Sequence, residues 1–347
     1  MKIQEDWRQL GAVLDEAREA ASAFLGDLAR RPAGLVVPQL EHDTLPATGL
    51  GARGALAAFR EKYEHWLAAS PGPRYLGFVT GGTTPAALVG DWLVTTYDQN
   101  VGSDGDSIAT TVEHETLALL RALFGLPDTF EGAFVTGATM ANFVALATAR
   151  QWAGQRLGVD VSEQGLWGLP PIPLLAGSAH ASVIKSLSML GMGRQVAEKL
   201  PSLPGRMAVD PQGVRSRLAE LKGAPAIVVA SAGEVNTGDY DDIATLAELC
   251  EEYGAWLHVD GAFGLFAACD PARAHLLRGL ERADSVTADG HKWLNVPYDC
   301  GFVFTRHLDL NQQVFKVTAA YLGGSSDISH RTPEDSRRFR ALPAWMT

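Results

Sequence analysis

The sequence predicts an α/β fold built on a largely parallel sheet, and three observations carry that prediction. From about Tyr75 onward, short apolar runs alternate with longer segments of helical periodicity, the pattern left by strands joined through helices. Gly132-Ala133-Phe134-Val135 precedes a helical pattern over residues 141–151, and the apolar run at 226–230 precedes another over 243–253. A further run, Ala255-Trp256-Leu257-His258-Val259, follows at once and delivers Asp260 to its C-terminal end, the edge where open α/β sheets place ligands.

The individual elements follow from local chemistry. Asp241 and Asp242 stand where carboxylates favour a helix N-terminus, and Gly254 suits the left-handed position just past its end, so the 243–253 helix has both boundaries marked. Residues 284–304 read as strand, loop and strand. Ahead of the alternating region, residues 7–28 and 51–69 are helical and amphipathic, separated by a stretch holding Pro38 and Pro46. The expected organisation is an N-terminal helical arm over 1–74, a large domain over 75–318, and a closing segment over 319–347.

Composition narrows the function. With 347 residues, 46% hydrophobic and 20% charged, the chain can bury a large core. Its formal net charge of -11 repels phosphate backbones and anionic lipid, which argues against nucleic acid and membrane partners. The opening Met1-Lys2-Ile3-Gln4-Glu5-Asp6-Trp7 does not have the form of a secretory signal, and no apolar run approaches the roughly 20 residues needed to span a bilayer. A cytoplasmic protein is expected. Cys250, Cys269 and Cys300 lack CxxC spacing, so reduced buried thiols are expected rather than a disulfide framework or a zinc site.

Two sequence features are decoys. Residues 49–54 spell GxGxxG, but no strand precedes them, as a dinucleotide site would require. Asp239-Tyr240-Asp241-Asp242 resembles a metal cluster, yet a helix start accounts for these carboxylates.

The chemistry-bearing constellation begins with Asp260-Gly261-Ala262 and, about thirty residues on, Asp289-Gly290-His291-Lys292-Trp293. A lysine in an apolar-flanked loop is costly to keep charged, so its pKa is expected to fall from about 10.4 toward the range of a nucleophilic amine. An aspartate ending a buried strand can pair with a protonated pyridine nitrogen and keep that ring able to accept electrons. Alone, Lys292 reads more readily as a snorkelling surface lysine, and Asp260 equally as a helix cap or turn; their combination points to a pyridoxal phosphate (PLP) site. Val135-Thr136-Gly137-Ala138-Thr139-Met140-Ala141-Asn142 runs from a strand through small residues into a helix, whose first amides and Thr139 hydroxyl would cradle a phosphate. Taken singly, these residues are also plain helix caps. His180, ahead of a helical stretch reaching Leu190, is either an aromatic that stacks on a cofactor ring or a satisfied loop histidine.

From about Pro73 to the last residue the chain resembles the group II PLP-dependent amino-acid decarboxylases, the family of aromatic-amino-acid, glutamate and diaminobutyrate decarboxylases. The most specific match is His291-Lys292-Trp293-Leu294 with Asp299-Cys300 downstream; Trp256-Leu257-His258-Val259-Asp260-Gly261-Ala262 is similar to the family's WLHVDAA segment. The resemblance implies fold type I, with a mostly parallel sheet, helices on both faces, and homodimeric assembly. It implies Lys292 as the Schiff-base lysine, Asp260 on the pyridine nitrogen, Ala262 on one ring face and His180 stacked on the ring. It also puts Ala138 and Thr139 at the phosphate, His291 beside the lysine, Asn236 and Thr237 on a loop lining the cofactor, and Tyr321 on a catalytic loop.

The segment 337–340 with Trp345 matches the entry into the family's C-terminal domain, and relatives continue for roughly another hundred residues, so an incomplete C-terminal small domain is expected. Met140 departs from the family's glutamate, and Phe78-Val79-Thr80-Gly81 matches a substrate-lining segment with fewer aromatic residues than the aromatic-acid enzymes carry. The expected reaction is PLP-dependent decarboxylation of an amino acid. The alternatives are an aldehyde lyase or aminotransferase of the same fold, or a catalytically impaired PLP-binding protein.

Overall fold

The structure, a computed structural model, describes residues 2–41, 43–103, 107–316 and 328–347. The chain divides into two compact units, Met1–Thr83 and Thr84–Thr347.

The first unit is helical among its described residues: α1 (Lys2–Arg8), α2 (Leu10–Gly26) and α3 (Gly51–Lys62). The helix expected over 7–28 is broken at Gln9, which adopts φ -109° and ψ 19°. Contacts with α3 hold this region. Asp6 accepts the Ala52 amide at 2.9 Å, Gln9 accepts from Arg53 at 2.7 Å, and Arg53 pairs with Glu16 at 2.8 Å. The helix expected over 51–69 ends at Lys62 and resumes as a single 3-10 turn over Glu64–Trp66. Gly51 therefore opens a helix capped by a carboxylate, not a dinucleotide loop.

The second unit is built on a seven-stranded sheet of order β1-β7-β6-β5-β4-β2-β3. The strands are β1 (Glu131–Val135), β2 (Leu174–Ala176), β3 (Ala197–Lys199), β4 (Ile227–Ser231), β5 (Trp256–Asp260), β6 (Ser285–Asp289) and β7 (Gly301–Thr305). Only β7 runs against its neighbours, so six strands point the same way. The helices are α4 (Pro85–Tyr97), α5 (Ala109–Leu123), α6 (Ala138–Arg156), α7 (Val161–Gln164), α8 (Ala181–Met189), α9 (Pro211–Glu220), α10 (Ile243–Tyr253), α11 (Leu308–Phe315) and α12 (Ala341–Met346).

Alternation along the strands assigns the two faces. Val228, Leu257, Val259, Val286 and Phe302 join one core with residues of α4, α5, α9, α10 and α12. Ile227, Val229 and Trp256 turn the other way, onto α6 and α8. Strands covered on both sides need apolar residues on both sides, which is why the central strands read as near-continuous apolar runs. The marked ends of α10 are as expected: the Asp242 side chain accepts the Thr245 amide at 3.1 Å, and Gly254 is left-handed at φ 67°. Cys250 and Cys300 are buried, whereas Cys269 is exposed at the end of a 3-10 turn, against the expectation of three buried thiols. Among the described residues no helix is long and apolar enough to cross a membrane.

Candidate active site

Parallel strands β4, β5 and β6 end at one sheet edge, and β1, parallel to them across β7, ends there too. Ser231 pairs with Asp260, Asp260 with Thr287, and Gly301 with both Val135 and Asp289. This register brings the last residues of β1, β5 and β6 together with the start of α6. Because side chains alternate, Trp256, His258 and Asp260 project to one face of β5, and Ser285, Thr287 and Asp289 to the same face of β6. That face lies under α6, where Asn142 is fully buried.

A polar network fills the space between. Asn142 Nδ2 donates to Asp260 Oδ2 and to Ser182 Oγ, both at 3.0 Å. Asn142 Oδ1 accepts from Thr287 Oγ1 at 3.0 Å and faces His258 Nε2 at 2.9 Å. His258 Nδ1 lies 2.9 Å from Ser285 Oγ, which also accepts the Trp256 indole N–H at 3.0 Å. Burial pushes the His258 imidazole down to about 4 against the pull of the Asp260 charge, so this histidine is neutral near pH 7.

Next to this network stands a second cluster. Asp289 Oδ1 accepts the Ala138 amide at 2.5 Å, and Asp289 Oδ2 faces Lys292 Nζ at 3.1 Å and His291 Nε2 at 3.6 Å. Burial pushes the Asp289 carboxyl up, opposed by His291 and Lys292. Burial likewise pushes the His291 imidazole down, opposed by Asp289. His291 is fixed further by the Cys300 amide, which donates to its Nδ1 at 3.2 Å, and by a ring contact with Tyr298 at 4.5 Å. The two clusters share backbone, since the Asp289 amide donates to the Ala262 carbonyl at 2.9 Å. Gly137 permits this packing: a Cβ there would approach His291 Cε1 to 3.0 Å.

His180 caps α8, accepting the Ser182 amide at its Nδ1, 3.2 Å away, with Ser182 Oγ at 2.8 Å from the same nitrogen; its ring is exposed. Asn236 and Thr237 are exposed, and their amides and side chains turn back onto Glu234. Tyr321 lies outside the described residues. Sequence reasoning included Asp289 and Asn142 in its candidate runs without giving either a role, and did not single out Ser182, His258 or Thr287. The signal was present in the runs WLHVD and SVTAD, whose polar residues fall on alternate positions and end in aspartate.

The acidic run is structural. Asp239 pairs with Arg206, Asp241 accepts the amides of Val209 and Ser231, and Asp242 caps α10. Among the described residues no group of His, Cys, Asp and Glu could hold a metal ion.

The donor set fits PLP. Asp260 is 7% exposed, yet its carboxylate accepts only from two neutral groups, the Asn142 amide and the Ala262 N–H, and forms no ion pair among the described residues. A buried carboxylate without a cation is incomplete, and a protonated pyridine nitrogen would complete it. Lys292 offers an amine at the same edge, and the first turn of α6, whose Ala138 amide is taken by Asp289, would offer the Thr139 amide and hydroxyl to a phosphate.

Fold and donor set together define a fold-type-I PLP-dependent protein. Residues 63–347 match the model of the pyridoxal-dependent decarboxylase conserved domain, and the chain belongs to that family. It is 31% identical over 286 residues to the aromatic-L-amino-acid decarboxylase of Bacillus atrophaeus, covering 79% of this chain and 57% of that protein. It is 29% identical to the L-2,4-diaminobutyrate decarboxylase of Rhizobium meliloti (strain 1021), covering 96% of this chain and 67% of that protein. This chain thus spans little more than half of the first of these relatives. In fold it is similar to the crystal structure of Oryza sativa TDC with PLP and tryptamine, with a TM-score of 0.87 at 21% identity over 98% of this chain and 74% of that one.

Proposed function

We propose that this chain decarboxylates an amino acid with PLP as cofactor, held by Lys292. The observation that carries the reading is the meeting, at one sheet edge, of the Lys292 amine, the cation-lacking carboxylate of Asp260 and the start of α6. When bound, the cofactor supplies an aldehyde for amines and a ring that accepts the electron pair left by departing carbon dioxide.

In this reading Asp260 holds the pyridine nitrogen protonated, Ala262 and His180 flank the ring, and Ala138 and Thr139 mark the phosphate end. His291 shares the Asp289 carboxylate with Lys292. Asn236 and Thr237 border the site on a loop braced by Glu234. Lys292 would hold the cofactor through its amine, and His180 or Tyr321 would supply a proton to the substrate carbon. Orienting the bond to carbon dioxide across the ring plane is the work of the walls of the site. The protein is read as a cytoplasmic homodimer; exposed Ile3, Trp7, Leu10 and Leu14 on the first two helices supply apolar surface for assembly.

Borohydride reduction of the cofactor-loaded chain followed by peptide mapping tests the lysine. A pyridoxyl mass on the peptide containing Lys292 is expected, and its appearance on another lysine overturns the assignment. Carbon dioxide and an amine as products across a panel of amino acids are expected; an aldehyde or a keto acid in their place moves the chain to another reaction of the fold.

A further inference from the structure

Asn142 joins the two residues read above as cofactor ligands, and its hydrogen bonds fix every proton along the way. Asp260 in its ionised form can only accept, so the amide nitrogen of Asn142 must face it. The second hydrogen on that nitrogen goes to Ser182 Oγ. Ser182 therefore has its own hydroxyl proton left to give, and the acceptor within reach is His180 Nδ1 at 2.8 Å. The Ser182 amide points at the same nitrogen. A nitrogen that receives two donors carries no proton, so neutral His180 keeps its proton on Nε2.

The other end is equally determined. Asn142 Oδ1 only accepts, so His258 carries its proton on Nε2; His258 Nδ1 then accepts from Ser285, whose oxygen receives the Trp256 indole N–H. Thr287 supplies the second donor to Asn142 Oδ1. Each nitrogen-bound hydrogen and each acceptor of this chain has one consistent assignment, and reversing the Asn142 amide would set its oxygen against the Asp260 carboxylate, which has no proton to give.

We propose that Asn142 is a positioning residue for the cofactor: its amide orients the Asp260 carboxylate with a neutral donor, and through Ser182 it sets His180 as the Nε2-protonated tautomer. This rests on the PLP reading. It adds that the two ring contacts are one unit, with the N–H edge of His180 left for the substrate side. A neutral donor is the suitable one here, because a cation at Asn142 would compete with the pyridine nitrogen for the Asp260 charge.

The test separates this inference from the functional reading. In the full chain without cofactor, labelled with 15N-histidine and compared with His180→Gln for assignment, His180 should show an unprotonated Nδ1 and a protonated Nε2 near pH 7. Ser182→Ala should mix the tautomers. Titration of the folded Asn142→Ala chain with PLP, followed by absorbance, should give a dissociation constant raised roughly tenfold, as expected for loss of a hydrogen bond to a charged group. An Nδ1 proton on His180 in the parent overturns the proposal, as does unchanged affinity in Asn142→Ala. If Asn142→Ala does not fold, the histidine spectra of the parent and Ser182→Ala decide. Failure of the parent to bind PLP at all strikes the functional reading instead, and the histidine spectra still decide the proton assignment.

Discussion

Lys292 Nζ stands 3.1 Å from Asp289 Oδ2, the carboxylate at the last position of β6. The other oxygen of Asp289 accepts the first amide of α6. One buried acid therefore ties the lysine loop to the helix whose start is read as the phosphate site, so a movement of either end is felt at the other. Burial alone disfavours the Asp289 charge, and the nearby Lys292 and His291 oppose that tendency.

Removing this acid should cost stability as well as chemistry. Asp289→Ala leaves the Ala138 amide and the Lys292 ammonium without their partner, and breaking a buried pair costs about 3–5 kcal/mol. Asp289→Asn keeps an acceptor for Ala138 and should cost less. Urea unfolding of the three chains checks the order, and equal loss in both variants would count against the amide contact.

His258 predicts a pH dependence. Its folded value of about 4 lies below the usual histidine range, so between about 6.5 and 4 the unfolded chain binds a proton that the folded chain refuses. Folding stability therefore falls as pH falls through that window, by on the order of 3 kcal/mol from this group. His258→Gln has no such proton. Unfolding curves across the window should converge for parent and variant as pH drops; a constant gap would contradict the assignment.

The parts of the fold that could be read from sequence were those set by local chemistry. Ile243–Tyr253 carried its cap at Asp242 and its stop at Gly254, and both boundaries came out as written. The alternation of apolar runs and helices gave the parallel sheet. What escaped depended on contacts distant in the chain: the break at Gln9, in a region held by Arg53 and Asp6, and the burial of Asn142 against strands 118 and 145 residues away. Asn142 looked like one more polar residue near a helix start, because nothing local says that His258 and Thr287 will stand beneath it. Asp289 stood in the chemistry-bearing run but received no role for the same reason, since its bond to Ala138 spans 151 residues.

Arg337 and Glu113 form an ion pair at 2.6 Å with both side chains fully buried, and Arg337 also donates to the carbonyls of Val101 and Phe134. Arg337→Met should strand the Glu113 carboxylate and lower stability by about 3–5 kcal/mol. The double variant Arg337→Met with Glu113→Gln should recover part of that loss, because the stranded charge is gone. Denaturant midpoints and slopes for the four chains provide the double-mutant cycle; a double variant no better than the single one would show that the carbonyl contacts, not the charge, dominate.

Gly301 links packing to cofactor binding. It begins β7 between Val135 and Asp289, and a Cβ there would stand 2.5 Å from Gly137 Cα and 2.7 Å from Gly137 C, both backbone atoms. Backbone cannot swing aside as a side chain can, so Gly301→Ala must push the start of α6 away from the sheet edge. Overpacking of this kind costs about 1–3 kcal/mol. Displacement also moves the Thr139 amide and hydroxyl read as phosphate donors, so PLP affinity should fall along with stability. Gly132→Ala is the control: its Cβ would meet the Phe304 ring at 2.8 Å and the Val303 carbonyl oxygen at 2.9 Å, near the start of β1 and away from the start of α6. That variant should lose stability while keeping its affinity for PLP. Denaturation curves and PLP titrations of both variants separate the two effects, and equal affinity in both would remove the α6 start from the cofactor site.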